Sequence, residues 1–396
     1  MPRLVFTVTN QLNFDQRMQR ICGSLSQNGY QVLLVGRSMK GQPPLAELGF
    51  EQHRLPCWSS KGPLMYLEFN LRLFFFLLFQ PADLFCAIDL DTILPVYFAS
   101  LLRGKKRVYD AHEYFTQQKE VMSRPAIQKV WKTIESFSLR RFPLGYTVNQ
   151  WIANAFQQEY GANYAVVRNL PKLTEAAKAH NLEVTPKATE MDASSASPQA
   201  LDPNITPLPQ ASDEQPFFIY QGAVNHGRCF ETLIPAMQEV AAPLRIYGTG
   251  NFINQSLSII NKYSLNNKIE VFKPLAPCLL QTTTPLAHAG LTLFEARGHN
   301  QYHSLANRFF DYIMAGIPQL CVDYPEYRAI QDQWEIALLI PNTHIETIAQ
   351  GLNKLLDDRV LYRRLKENCL QARAILNWES EEKVLLAFYD RIFIKD

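Results

Sequence analysis

This chain predicts an α/β fold of two Rossmann-like, doubly wound parallel-sheet domains facing a cleft. Three observations lead there. Short β-branched and apolar runs alternate with helical runs from the first residues onward, a Pro-rich segment interrupts the alternation, and the same alternation then restarts. At 396 residues the chain is long enough for two domains, each with its own core.

In the first half the strand runs are 4–9, 31–35, 84–88, 107–109, 144–148 and 164–167, and the helical runs are 15–27, 92–102, 127–139 and 150–159. Gly29 separates the first helix from the second strand. In the second half the strand runs are 217–220, 244–247, 269–272, 290–294, 319–322 and 337–340, joined by helical runs at 228–240 and 254–263, a helix from Asn307, and further helices from 345 onward. The intervening stretch 174–216 holds six prolines and no Phe, Tyr or Trp, too little apolar surface to order itself. It reads as a disordered insertion, with an active-site lid as the alternative. The expected organisation is an N-terminal domain over 1–172, a linker or insertion over 173–216, a C-terminal domain over 217–376 and a closing helix over 377–396.

With 39 basic and 37 acidic residues the formal charge is +2, which argues against a general nucleic-acid binder. The cysteines, Cys22, Cys57, Cys86, Cys229, Cys278, Cys321 and Cys369, are odd in number and form no Cys-x-x-Cys pair. That pattern reads as reduced thiols in a cytoplasmic protein, with neither a disulfide framework nor a zinc site. The opening residues 1–10 read as a strand rather than a signal peptide. One stretch, 64–79, is strongly apolar, yet at 16 residues with Glu68, Asn70 and Arg72 inside it is too short and polar for a span of about 20 apolar residues. Glu68 and Arg72 form an i,i+4 pair on a helix. Two readings stay open for that helix: burial under the first sheet, or peripheral contact with a membrane surface, where the clusters Arg103, Lys105, Lys106, Arg107 and Arg140, Arg141 favour anionic lipid.

The most informative stretch is Asn300-Gln-Tyr-His-Ser-Leu-Ala-Asn-Arg-Phe-Phe-Asp-Tyr-Ile-Met-Ala-Gly-Ile-Pro318. Asn307 is the expected helix cap, and Gly316 with Pro318 the expected stop. Such a helix start points unpaired N–H groups and a positive dipole end at a diphosphate, and Asp311, one turn in, suits two hydrogen bonds from a ribose diol. On the plainer reading, Phe309, Phe310, Ile313 and Met314 are the buried stripe of an ordinary helix and Asp311 is solvated.

The stretch resembles the nucleotide-sugar signature of the retaining, family-4 (group 1) glycosyltransferases. In that family the second Glu of a Glu-x7-Glu motif precedes a Met-Ala-x-Gly-x-Pro run, and Asp311 to Pro318 keep that spacing. The first Glu falls on His303, as in a branch reading Asn-x-x-Tyr-x-Leu-Pro-Asn-Lys-x-Phe-Glu-Tyr, which lacks that carboxylate too. The resemblance implies a GT-B architecture whose last helix, entered through Trp378-Glu-Ser-Glu-Glu382, crosses back to the first domain.

Other residues fit that reading. In Tyr220-Gln-Gly-Ala-Val-Asn-His-Gly-Arg228, Gly222 permits a tight turn and Arg228, at a helix start, is placed to hold a phosphate. The run resembles the family's Gly-x5-(Lys/Arg)-Gly loop, with Cys229 in place of the second Gly. Gly248 and Gly250 in Tyr247-Gly-Thr-Gly250 resemble the turn near the nucleotide base, and the absence of a complete Gly-x-Gly-x-x-Gly counts against NAD. Arg297 and Arg308 are further cations for the diphosphate. In the first domain Val108-Tyr-Asp-Ala-His-Glu113 matches the family branch's Tyr-Asp-x-His-Glu run. There His112 is expected to bind a donor sugar hydroxyl, with Asp110 and Glu113 orienting its ring or shaping the pocket. Phe14-Asp-Gln-Arg-Met18 resembles the branch's Asp-x-Arg-Val run: Asp15 is the expected cap, and Arg17 either reaches the cleft toward a phosphate or an acceptor anion, or is solvated or salt-bridged. Asp89 and Asp91 form an Asp-x-Asp pair, the metal mark of a different glycosyltransferase fold; here Asp91 is expected to cap the next helix instead.

The resemblance implies sugar transfer with retention from a nucleotide-diphosphate sugar, bound on the second domain without a metal cofactor, to a glycan or lipid-linked acceptor on the first. The setting implied is cell-surface polysaccharide or glycolipid synthesis in the cytoplasm or at the inner membrane face. Two other functions stay open: a nucleotide-sugar epimerase of the same fold, and a degenerate relative that binds without turnover.

Overall fold

The computed structural model describes residues 1–39, 41–173, 215–296 and 298–393. The expected insertion at 173–216 lies, apart from its ends, outside them. The chain divides into two compact units: Met1–Leu170 with Ala296–Leu305 and Trp378–Asp396, and Pro171–Glu295 with Ala306–Asn377. The segment Ala296–Leu305, expected in the second domain, groups with the first unit.

The first unit runs β1 (Arg3–Thr7), α1 (Gln16–Gln27), β2 (Gln31–Arg37), β3 (Glu51–Leu55), α2 (Gly62–Phe79), β4 (Leu84–Ile88), α3 (Ile93–Leu102), β5 (Lys106–Ala111), α4 (Lys119–Met122), α5 (Pro125–Leu139), β6 (Gly145–Thr147), α6 (Gln150–Tyr160) and β7 (Ala165–Val166). Its seven strands pair in parallel in the order β3-β2-β1-β4-β5-β6-β7, so the order reverses between β1 and β4. Alternate residues of each strand serve opposite faces. Val5, Phe85 and Tyr109 pack with Phe69 and Leu73 of α2 and Val96 of α3, while Leu4, Phe6 and Cys86 pack with Ile21 and Leu25 of α1.

The α1 side of the sheet is completed from the end of the chain. The helix Trp378–Phe393 belongs to the first unit, as the crossing-back helix requires. Trp378 is buried and donates through Nε1 to Ser24 Oγ at 2.9 Å. Glu381 receives the backbone N–H of Arg168 and its Nε, both at 2.8 Å. The Tyr30 hydroxyl donates to Asp390 at 2.6 Å.

In the second unit the strands are β8 (Phe218–Gln221), β9 (Leu244–Tyr247), β10 (Ile269–Phe272), β11 (Ala289–Thr292), β12 (Gln319–Val322) and β13 (Ala337–Ile340). They form a parallel sheet ordered β10-β9-β8-β11-β12-β13, again reversing beside its first strand. Its helices are α7 (Phe230–Ala236), α8 (Ile253–Lys262), α9 (Pro277–Thr283), α11 (Asn307–Ala315), α12 (Pro325–Trp334), α13 (Ile345–Asp357) and α14 (Arg359–Ala372). The short α10 (His299–Tyr302) lies in the segment that groups with the first unit, and α15 is the helix Trp378–Phe393. A Cβ on Gly290 would stand 2.4 Å from the Tyr312 ring, so this glycine lets α11 settle onto β11.

Expectation and structure part at several places, helices Lys119–Met122, Pro277–Thr283 and Pro325–Trp334 being unexpected as well. The edge strand β3 was not foreseen, because Glu51-Gln-His-Arg-Leu55 has the polar composition of a strand paired on one side only. The run 228–240 yields only the short α7, since Cys229 takes a left-handed conformation (φ 60°) and a 3-10 turn, Met237–Glu239, follows Ala236. Asp91 does not cap α3: it sits inside a 3-10 turn, and its carboxylate accepts from Thr9 Oγ1 at 2.5 Å.

Truncating Trp378→Ala removes a fully buried indole and its hydrogen bond, so the unfolding free energy of the first unit is expected to fall by about 3–5 kcal/mol. A lowered denaturant midpoint, followed by tyrosine and tryptophan fluorescence, checks it.

Candidate active site

In the second unit, loops at the carboxyl ends of β8 and β9 interlock. Gly222 N–H donates to Tyr247 O at 3.0 Å, Val224 N–H to Thr249 O at 3.0 Å, and Phe252 N–H to Val224 O at 2.9 Å. Gly222 sits at φ 117°, where side chains are strained. A Cβ on Gly248 would lie 1.9 Å from Gly222 O, and one on Gly250 2.3 Å from Val224 O. These glycines are therefore required by the approach of two backbones to each other.

Two arginines gather beside this loop pair. Arg308, in the first turn of α11, is only 8% exposed, with its guanidinium 4.3 Å from the Tyr220 ring centre and 5.3 Å from that of Phe294. Arg228 lies 4.2 Å from the same Phe294 ring. Aromatic faces attract and orient both cations. Arg308 Nη1 is buried without a hydrogen-bond partner, although such a group ordinarily has one. Arg228 precedes α7 by two residues rather than starting it, because the left-handed Cys229 intervenes.

The start of α11 carries no side-chain cap: Ala306 occupies the cap position and Asn307 is already helical, which corrects the expected Asn307 cap by one residue. One turn in, Asp311 is neither buried nor simply solvated. Its Oδ2 accepts from Gln221 Nε2 at 3.1 Å, and Gln221 Oε1 accepts from Thr284 Oγ1 at 2.7 Å. Phe309, Phe310, Ile313 and Met314 do form a buried stripe, so α11 both packs and presents Asp311. Gln221 and Thr284 went unnoticed in the sequence; the only signal was the position of Gln221 at the end of β8.

The first unit holds a buried charge cluster at the carboxyl ends of β4 and β5. Arg17 is 4% exposed; its Nη2 meets Asp110 Oδ1 at 3.0 Å and its Nη1 donates to Val167 O at 2.9 Å. This settles Arg17 as salt-bridged and corrects the reading in which it reaches outward to an anion. Asp110, fully buried, also meets His112 Nε2 at 3.1 Å. Asp89, strained at φ 54°, accepts the His112 backbone N–H at 2.9 Å, and its other oxygen lies 3.9 Å from His112 Nδ1. Burial opposes a charge on His112, but Asp110 and Asp89 outweigh it and raise its pKa to about 9. Burial likewise works against a charged Asp110, yet Arg17 and His112 pull its pKa below the ordinary carboxylate value.

Asp15 caps α1, accepting Met18 N–H at 3.0 Å. Glu113 does not orient His112: its Oε2 accepts from Gln118 Nε2 at 3.0 Å and from Asn300 Nδ2 at 2.9 Å. His303 stacks on Trp151 with ring centres 4.1 Å apart, and its carbonyl accepts from Asn149 Nδ2 at 2.8 Å. Burial lowers the His303 pKa, which favours the uncharged ring. Arg297 lies outside the described residues. Among the described residues no three or more His, Cys, Asp or Glu side chains cluster as metal ligands.

Two parallel-sheet units of this topology are the GT-B fold of nucleotide-sugar glycosyltransferases. Sucrose-phosphate synthase from Thermosynechococcus elongatus superposes with a TM-score of 0.74 at 14% identity, over 99% of each chain. HepE from Anabaena, solved with UDP and glucose, gives 0.70 at 10% identity over 98% of this chain and 100% of its own. WaaG, a glycosyltransferase of lipopolysaccharide biosynthesis, gives 0.68 at 14% identity over 97% of this chain and 99% of its own. No protein-family model matches the sequence, and no curated protein matches it.

The charge cluster makes a pH-dependent contribution to stability. His112 has a raised folded pKa, so its contribution is complete below its ordinary 6.5 and is lost as pH rises through about 9. A histidine NMR titration is expected to find His112 charged at neutral pH, and Asp110→Asn to move its midpoint down toward 6.5.

Proposed function

We propose that this protein is a retaining glycosyltransferase, moving a sugar from a nucleotide-diphosphate sugar to a hydroxyl of a glycan or lipid-linked acceptor in cell-surface polysaccharide or glycolipid synthesis. The observation that carries the reading is the group around α11. An uncapped helix start, Arg308 with an unpartnered buried N–H, and Arg228 on the same aromatic ring surround a position suited to two phosphates. Asp311, held by Gln221, stands one turn away, where a ribose diol would donate to it.

Donor cleavage places negative charge on the departing diphosphate and positive character on the sugar carbon. Arg228, Arg308 and the N–H groups of the α11 start stabilise the first charge, and these fixed cations leave the reaction needing no metal. His112, held charged by Asp110 and Asp89, is assigned to a sugar hydroxyl, the role the family resemblance implies. The retained configuration is assigned to a front-face displacement, as the resemblance to the family-4 glycosyltransferases implies. The HepE complexes with UDP and with UDP-glucose support uridine as the first donor base to test. The setting proposed is the cytoplasm or the inner face of the membrane.

Thermal melting with UDP, GDP, ADP and CMP tests the reading, because a ligand that binds only the native state raises the melting temperature. UDP is expected to stabilise the wild type and to lose that effect in Asp311→Ala; no response to any of the four would reject a nucleotide-diphosphate donor. In a donor-hydrolysis or transfer assay, Arg228→Ala and Arg308→Ala are each expected to lower kcat by roughly 100-fold to 1,000-fold.

A further inference from the structure

We propose that the outer face of the helical layer formed by α2, α3 and α5 docks on an anionic lipid bilayer. The clearest sign is that α2 is apolar on both sides. Met65, Phe69, Leu73 and Leu77 face the core, whereas Leu64, Leu67, Leu71, Phe75 and Phe79 face outward, with exposures from 52% at Leu71 to 81% at Phe79. Spaced three and four residues apart from Leu64 to Phe79, the outer set makes a stripe about 23 Å long at ~1.5 Å per residue. α3 extends it sideways: Arg103, just past α3, donates to Leu77 O at 2.8 Å and also to Gln80 O, which brings the exposed Phe98, Leu101 and Leu102 beside the end of α2. Trp58, 89% exposed, borders the first half, with Arg72 4.5 Å from its ring centre. A contiguous apolar surface of this kind on a folded unit marks a docking site.

Charge identifies the occupant. The only carboxylate on α2, Glu68, is spent locally, accepting the N–H groups of Trp58 and Ser59 at 2.9 and 2.8 Å and Arg72 Nε at 3.0 Å. α3 carries no charged residue, and the single carboxylate of α5, Glu135, is buried. α5 packs beside the other two helices, Trp131 on Tyr66 at 5.8 Å and Phe137 on Tyr97 at 5.3 Å. Its exposed Lys129 and Lys132, with Arg140 and Arg141 just past its end, therefore border the stripe. An apolar strip edged by cations, without an exposed carboxylate on its three helices, complements acyl chains beneath anionic headgroups. A second copy of the chain would cover the strip too, but a two-fold pairing places two basic borders in one interface. α2 lies on the bilayer rather than crossing it, because Phe69, Leu73 and Leu77 are fully buried in the first unit's core.

The proposal does not depend on the sugar-transfer reading, since melting with UDP reports on the second unit and vesicle binding on the first. The test is co-sedimentation of the full chain with vesicles of phosphatidylcholine alone and of phosphatidylcholine with phosphatidylglycerol, alongside light scattering for oligomeric state. The wild type is expected to bind the phosphatidylglycerol vesicles and to leave phosphatidylcholine largely unbound. Leu71→Glu with Phe75→Glu should abolish binding. Lys129→Gln, Lys132→Gln and Arg140→Gln, which leave the stripe intact, should each weaken it about fivefold, the equivalent of about 1 kcal/mol per charge. Absence of wild-type binding, equal binding to both vesicles, or a wild-type dimer that Leu71→Glu with Phe75→Glu converts to a monomer while the dimer ignores vesicles would each overturn the proposal.

Discussion

A parallel strand cannot turn back into its neighbour; it must travel over a face of the sheet before it pairs again, and both units obey that constraint throughout their sheets. The crossovers cover the faces with helices, so the inner strands are buried and apolar. They also gather strand ends and helix starts along one edge. Where the strand order reverses, beside β1 in one unit and β8 in the other, the loops diverge and leave room. His112, Asp110 and Asp89 follow from this in the first unit, and the Gly222 loop with the α11 start in the second. The chemistry proposed is placed at these strand ends and helix starts.

Such regularity makes the fold legible in sequence. The alternation of apolar strands and helices reports local geometry, and the strands β1, β4, β8 and β12 lie close to where the pattern puts them. β3 is the exception that shows the rule's basis: an edge strand is half solvated, so Glu51, Gln52, His53 and Arg54 look like a loop. The site was legible as a set of residues and much less as a set of contacts. Asp311 and His112 stood out through motif spacing, but the partner of Asp311 is Gln221, 90 positions away, and that of Arg17 is Asp110, 93 away. No periodicity carries such pairings. An arginine in a sequence does not disclose whether it is a buried strut, as Arg17 is, or a cation lying against aromatic rings, as Arg308 is.

The departures from the family pattern also acquire physical content. Cys229 stands at a left-handed position, where glycine is the favoured residue, and this chain's α7 begins late because of it. His303, in place of a carboxylate, has turned to Trp151 and serves packing inside the first unit. The diphosphate contacts assigned to the second unit do not involve either residue.

The closing helix has a consequence for how the molecule is made. Trp378, Leu385 and Tyr389 belong to the core that covers the α1 side of the first sheet, yet they are the last part of that core to be synthesised. While the ribosome is still adding the second unit, the first must persist with one face of its sheet only partly covered. Its final consolidation therefore waits until the second unit has been made, and during that interval the nascent chain is the form most exposed to chaperones and proteases.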